Sequence, residues 1–204
     1  MRPIVLIGGG GHCVSCIDVI EWSSLFKIVG IIDNQNSSNE NLNIKYPIIG
    51  RDEDLPKIIK EFPSYLITIG QIKYADVRMN CFLRLKQLGG HFPVVISSRA
   101  YVSKHSNVLE GTIVMHDALL NANSSIGSNT IINSKALIEH DSHIGSNCHI
   151  STGAIINGKV VVEDNCFLGS GTVIHHGLRI GYGSIIAAGK IIKENIPPNS
   201  IVRA

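Results

Sequence analysis

The sequence predicts a small α/β layer with a parallel sheet followed by a parallel β-helix, and three observations carry that prediction. Every sixth residue over 102–192 is a branched aliphatic without exception: Val102, Val108, Val114, Leu120, Ile126, Ile132, Ile138, Ile144, Ile150, Ile156, Val162, Leu168, Ile174, Ile180, Ile186 and Ile192. Two residues ahead of each lies a second pattern of small residues, including Ala100, Ser106, Thr112, Ala118, Ser124, Thr130, Ala136, Ser142, Cys148, Ala154, Cys166, Thr172 and Ser184, with Val160, Leu178 and Lys190 as departures. Ahead of this repeat, short apolar runs alternate with helical patterns and end at glycines.

A period of six matches neither a helix at 3.6 nor a flat strand at 2.0. It matches short strands turned at regular corners, with three hexapeptides closing one triangular coil. No coil buries its aliphatics alone, so the repeat must persist over several turns. At the spacing of neighbouring strands, about five coils make a prism on the order of 25 Å long.

The first part reads in order as follows. An apolar run over 3–7 ends in Gly8-Gly9-Gly10-Gly11-His12 and leads into a helix over 14–21, giving strand, glycine turn, helix. A second strand is expected over 27–33, and 34–43, rich in Asn and Ser, reads as a solvated loop. A helix over 52–62, a third strand over 65–69, a helix over 75–88 closed by Gly89-Gly90, and a fourth strand over 91–97 complete the pattern. Strands alternating with helices imply a parallel sheet with crossover helices. The expected division is 1–97 for the α/β part and 98–204 for the β-helix.

Ligands bind such sheets beyond the carboxyl ends of the strands. Those ends carry Gly10, Gly11 and His12, then Asp33 and Asn34, then Gly70. Glycines let a ligand approach the backbone, and the helix that follows offers free N–H groups to a phosphate. Asp33 could bond a sugar hydroxyl or a base N–H. Gly8-x-Gly10 with a later acid is also half of a dinucleotide fingerprint, but Cys13 stands where the third glycine belongs. A mononucleotide or nucleotide-sugar is therefore the expected ligand.

Composition narrows the class. The formal net charge is +2, with no basic cluster interleaved with aromatics, which argues against a nucleic-acid partner. The five cysteines have no zinc-ribbon or disulfide-rich spacing. Cys13 and Cys16 form a CxxC pair whose redox reading competes with the glycine-loop role of the same segment. The amino-terminal apolar run is too short for a signal peptide or a membrane span, so a cytoplasmic location is expected.

Of nine histidines, His140, His143, His149, His175 and His176 lie inside the repeat. His140 and Asp141 follow the inward Ile138 by two and three places, which puts them toward a corner. A histidine beside a carboxylate has the composition of a general base with an orienting partner, provided the corner turns both the same way. The competing reading is a solvated surface histidine. One coil is eighteen residues, so Gly158 should stack on His140, leaving room above the ring and a backbone N–H beside it. His149 lies half a coil away and could face a cleft with a neighbouring subunit. The histidine spacings of three and six fall on different faces, so no metal is expected. His175 and His176 read as exposed filler.

At these residues a resemblance becomes specific. G-G-G-G-H-x-V-x-x-x-D-V over 8–19, I-I-D-N over 31–34, and I-E-H-D-x-x-I-G-x-x-x-H-I-S-x-G-A over 138–154 closely resemble the bacterial sugar O-/N-acetyltransferases of the hexapeptide-repeat class. That family includes the UDP-4-amino-sugar N-acetyltransferase of the di-N-acetylbacillosamine pathway and the sialic acid O-acetyltransferases. The resemblance implies a Rossmann-like small parallel sheet followed by a left-handed parallel β-helix. It implies His140 as general base, Asp141 as its acidic partner and Gly158 as backbone oxyanion donor. It places acetyl-CoA, with no metal, against His149, Gly158, Ile156 and Ile174. It places the uridine nucleotide of the sugar on Gly10, Gly11, His12, Asp33, Asn34 and Gly70. It implies a homotrimer with acetyl-CoA between adjacent prisms. The family usually continues after Pro-Pro-Asn through Val-x-x-Gly-x-Pro-Ala-Lys, whereas Asn199 is followed here by Ser-Ile-Val-Arg-Ala; this departure bears on CoA affinity more than on fold. The expected activity is acetyl-CoA-dependent N-acetylation of the 4-amino group of a UDP-linked sugar. O-acetylation of a sialic-acid-like sugar and a non-catalytic scaffold trimer are the alternatives.

Overall fold

The computed structural model describes residues 1–34 and 45–203, so the loop expected over 34–43 lies, beyond Asn34, outside the described residues. Four strands form the first sheet: β1 (Arg2–Ile7), β2 (Phe26–Ile32), β3 (Ile48–Gly50) and β4 (Tyr65–Ile67). Their order is β3-β2-β1-β4 and every pair is parallel. Helix α1 (Gly11–Ser23) connects β1 to β2, α2 (Leu55–Glu61) connects β3 to β4 after a 3₁₀ turn over Asp52–Asp54, and α3 (Asp76–Gln87) leads from β4 to the rest of the chain.

The expected fourth strand over 91–97 needs correction. The sheet's fourth strand is Ile48–Gly50, at the edge beyond β2. His91 makes only an isolated bridge to Ser64, and Val95–Ile96 pairs instead with Ile113–Val114 as the first rung of the prism. Pro93 has no N–H for a sheet ladder. Ile96 stands six residues before Val102 and packs against the prism core, so the hexad starts one register earlier than the aliphatic count began.

From there the chain is a left-handed parallel β-helix of two-residue strands. They stack into three faces of seven, six and five strands, in which each strand pairs with those one coil before and after, except that the last rung of the seven-stranded face comes sooner. The hexad aliphatics fill the interior: Ile126, Ile138, Ile150, Ile156 and Ile174 are at most 1% exposed. Burying one such side chain is worth roughly 1.5–3 kcal/mol. The small inward residues have a polar reason to be there. Thr130 Oγ1 donates to Gly145 O at 2.9 Å and accepts from Cys148 N–H at 3.1 Å, and Ser142 Oγ bonds Asn157 O and Val160 N–H in the same manner. Each hydroxyl thereby satisfies backbone groups that a corner leaves unpaired.

The corners have a period of their own. Left-handed backbone recurs every six residues through Asp117, Asn123, Asn129, Lys135, Asp141, Asn147, Gly153, Lys159 and Asn165. Asn, Asp and Gly reach that region most cheaply, and they dominate the positions.

The two parts share a core. Cys13, Cys16, Ile17 and Ile20 of α1 and Ile4 and Leu6 of β1 pack with Val95, Ile113, Met115 and Ile131 of one prism face. Cys13 and Cys16 are buried and unpaired in that core, and burial pushes the Cys13 thiol up to about 11 and raises that of Cys16 further. Thiols so held in the protonated form are packing residues. A polar chain accompanies the apolar contact: Ser97 Oγ meets His116 Nδ1 at 2.6 Å, and His116 Nε2 meets Asp18 Oδ2 of α1 at 2.8 Å. On the sheet's other side, α2 and α3 cover Val5, Ile7 and Ile67 with Leu55, Phe82 and Leu85. No helix among the described residues is long and apolar enough to cross a membrane.

Candidate active site

A cleft of about 990 Å³ opens at the carboxyl ends of β1, β2 and β4. Gly10, Gly11, His12, Asp33, Asn34 and Gly70 all line it, as the sequence led one to expect. The glycine loop is laced in place. Asp33 Oδ2 accepts from Gly9 N–H at 2.6 Å, and Thr68 Oγ1 bonds Gly8 O at 2.6 Å. Gly8 has a φ of +97° and a Cβ there would lie 2.6 Å from Ile69, so only glycine fits. A Cβ on Gly10 or Gly11 would meet nothing within 4 Å, which makes their bare backbone the open wall of the cleft at the N-terminus of α1. Asp33 is thus partly engaged in shaping the loop, and Asn34 Oδ1 accepts from Asp52 N–H at 3.0 Å. Thr68, Asp52 and Arg84 line the same cleft without having been singled out in the sequence. Thr68 follows the end of β4, Asp52 starts the 3₁₀ turn and Arg84 lies in the last turn of α3, and their convergence is a matter of tertiary packing.

His140 and Asp141 occupy one corner of the prism. Asp141 has a φ of +60°, and this left-handed turn swings the two neighbouring side chains together, with His140 Nδ1 at 2.9 Å from Asp141 Oδ2. Asn123, one coil earlier, donates to Asp141 Oδ1 at 3.2 Å. The hydrogen bond from His140, and then that from Asn123, holds the Asp141 carboxyl below the usual range. An ionised Asp141 accepts the Nδ1 proton, which leaves Nε2 as the basic nitrogen. Gly158 lies directly under the ring, since a Cβ there would be 2.7 Å from His140 Nε2. The eighteen-residue stack read from the sequence is therefore present, with Lys159 N–H donating to His140 O at 3.0 Å.

His149 is placed differently. Its side chain is buried, with Nδ1 at 2.6 Å from Gln71 O and Nε2 at 3.1 Å from Asn133 Nδ2, and its ring lies edge-on to Phe167 and 6.4 Å from that of His12. Burial pushes its pKa down to about 4, and burial together with Arg78 pushes His12 down to about 3. Within the chain His149 is a link between the prism and the loop after β4. A ligand at Nε2 would have to displace Asn133. Ile156 and Ile174, expected against the cofactor, are fully buried in the prism core. Their side chains cannot contact a ligand outside it, because the hexad that identifies them is the inward-facing position.

The amino-terminal layer matches the PglD N-terminal domain over residues 3–84, and the prism matches the bacterial transferase hexapeptide repeat over 123–158 and the hexapeptide repeat of succinyl-transferase over 159–194. Together the two parts have the make-up of the bacterial sugar acetyltransferases of the hexapeptide-repeat class. Among solved structures this acetyltransferase resembles a variant of perosamine N-acetyltransferase from Caulobacter crescentus in complex with CoA and GDP-perosamine. The match has 27% identity, covers 98% of this chain and 93% of that one, and has a TM-score of 0.91. The acetyltransferase domain of PglB from Neisseria gonorrhoeae, in complex with acetyl coenzyme A, matches at 25% identity, 98% and 95% coverage and a TM-score of 0.89. WeeI from Acinetobacter baumannii, at 21% identity, 98% and 96% coverage and a TM-score of 0.73, shares the fold. No curated protein sequence matches the chain significantly. For this acetyltransferase the missed residues of the corner are Asn123 and His176, which lie one coil before Asp141 and two coils after His140. The same eighteen-residue arithmetic that located Gly158 would have located both.

Proposed function

We propose that the protein is an acetyl-CoA-dependent N-acetyltransferase that acetylates the amine of a nucleotide-linked 4-amino sugar, with the UDP-linked sugar as the expected acceptor. The observation that carries this reading is the corner itself: His140 Nδ1 is tied to Asp141 while Nε2 lies over Gly158. The nucleotide occupies the cleft at Gly10, Gly11, His12, Asp33, Asn34 and Gly70. The sugar amine attacks the thioester carbonyl carbon of acetyl-CoA, forming the C–N bond. His140 Nε2 takes the amine proton, the Gly158 N–H faces the oxyanion, and the C–S bond breaks with the proton passing to the departing thiolate. Direct transfer needs only proximity, a base and an oxyanion donor.

The cleft and the corner lie on separate parts of one protomer, and His149 does not join the corner within it. We read the working site as completed by a neighbouring copy in a homotrimer. Sucrose, mannose or other sugars without a nucleotide give the glycine cleft nothing to hold, whereas the perosamine N-acetyltransferase neighbour was crystallised with GDP-perosamine. The test is thiol release from acetyl-CoA with UDP-4-amino-4,6-dideoxy-N-acetylglucosamine, GDP-perosamine and free sialic acid as acceptors. Turnover with a nucleotide amino sugar, abolished by His140→Ala, is expected. Turnover with sialic acid alone would overturn the N-acetyltransferase reading, and full activity of His140→Ala would overturn the assigned base.

A further inference from the structure

We propose that His176 supplies a second hydrogen-bond donor to the thioester oxygen, beside the Gly158 N–H. This rests on the reading of the His140 corner given above. His176 follows His140 by two coils, and the residue between them in the stack is Gly158. The two imidazole centroids are 6.4 Å apart with planes at 50°. Both rings are exposed, and both are followed by a left-handed residue, Asp141 at φ +60° and Gly177 at φ +72°. The corner at 176 thus turns as the corner at 140 does, and Gly177 N–H donates to Gly158 O at 3.0 Å, which seats the one coil on the other. With no side chain on Gly158, nothing of that residue fills the gap between the two rings.

The backbone at this gap is unlike its equivalents in the stack. One coil earlier the His140 N–H faces Glu139 Oε2 at 3.3 Å, and two coils earlier the Ala122 N–H is taken by Asn121 Oδ1 at 2.8 Å. In the Gly158 coil the preceding side chain turns away, with Asn157 Nδ2 donating to Ile174 O at 2.7 Å. The Gly158 N–H has no hydrogen-bond partner among the described residues. One free N–H is half of an oxyanion site, because charge developing on a carbonyl oxygen is held best by two converging donors. His140 cannot be the other, since its Nδ1 proton goes to Asp141 and its Nε2 must accept. A neutral imidazole at 176 always carries one N–H and stands on the opposite side of the gap.

The experiment compares His176→Ala, His176→Phe and His176→Gln with wild type and with His140→Ala, using the acceptor that wild type turns over. His176 is exposed, so each variant should fold. Ala and Phe should lower kcat by about 10²-fold, the effect of removing one oxyanion donor, with KM for both substrates nearly unchanged. Gln, which restores an N–H donor, should recover most of the loss. Wild-type kcat in the Ala variant, a loss confined to KM, or full activity with Phe would overturn the proposal. If His140→Ala is dead while His176→Ala is fully active, the inference falls and the reading of the corner stands; if His140→Ala is active, that reading falls with it.

Discussion

His140 and His149 are nine residues apart in one repeat and have opposite surroundings. His140 stands at a solvent-facing corner, tied to a carboxylate by one nitrogen and open at the other. His149 lies between the prism and the amino-terminal layer with both nitrogens engaged and no carboxylate among their partners. The same side chain thus keeps one nitrogen open to solvent in one place and is a packing link with both nitrogens engaged in the other. Position within the hexad explains the first. The second depends on which prism face the α/β layer covers.

The contrast can be broken at either histidine, and the corner should give the largest effects. His140→Ala should cost roughly 10² to 10⁴ in kcat, the usual contribution of a positioned base, and should leave the melting temperature unchanged because the ring is exposed. Gly158→Ala should follow. Its Cβ would lie 2.7 Å from His140 Nε2, the far end of a side chain that can swing aside. The fold should therefore survive while kcat falls about 10²-fold, the order expected for misplacing a reacting group by an ångström. Thiol release and thermal melting, measured together, check both variants.

At the buried junction the effect should move from activity to stability. His149→Ala removes a packed ring and leaves the Gln71 carbonyl without its donor, at a cost of roughly 2–4 kcal/mol in denaturant unfolding. The pH dependence should point the same way. The folded-state values of about 3 for His12 and about 4 for His149 lie below the ordinary 6.5. Between those values the unfolded chain binds protons that the folded one does not, so this stability is complete above about pH 6.5 and is lost as the pH falls toward 4. Melting temperature measured from pH 8 to 4 should drop in that window, and the drop should be shallower in His149→Gln. The smallest effect is expected at the second polar contact between the layers. Asp18→Asn weakens the chain through His116 to Ser97 and should cost only about 0.5–1.5 kcal/mol, measured in the same unfolding assay.

The corner was legible because a solenoid turns sequence spacing directly into spatial spacing. Ile138 faces inward, so His140 and Asp141 fall at the turn, and eighteen residues later Gly158 falls beneath the ring. The expectation that Ile156 and Ile174 touch the cofactor failed on that same rule, which commits them to the interior. The same rule places His176 over His140, two coils along. The period of Asn, Asp and Gly at the left-handed positions was equally available, and it supports the assignment of Asp141 to a turn.

What the sequence by itself determined is whatever repeats or stays local: the hexad core, the corners, the glycine loop before α1, and the composition of the His140 site. These depend on contacts between residues at fixed separations, which a linear pattern records. What only the tertiary structure decided is whatever depends on two separately folded parts meeting. Val95–Ile96 left the first sheet for the prism because a matching strand edge waited at Ile113–Val114. His149 became a buried link because Gln71, which is 78 residues away in the chain, came to lie over it. No period encodes that distance, since burial and the hydrogen bonds it forces arise only when the two surfaces close on each other.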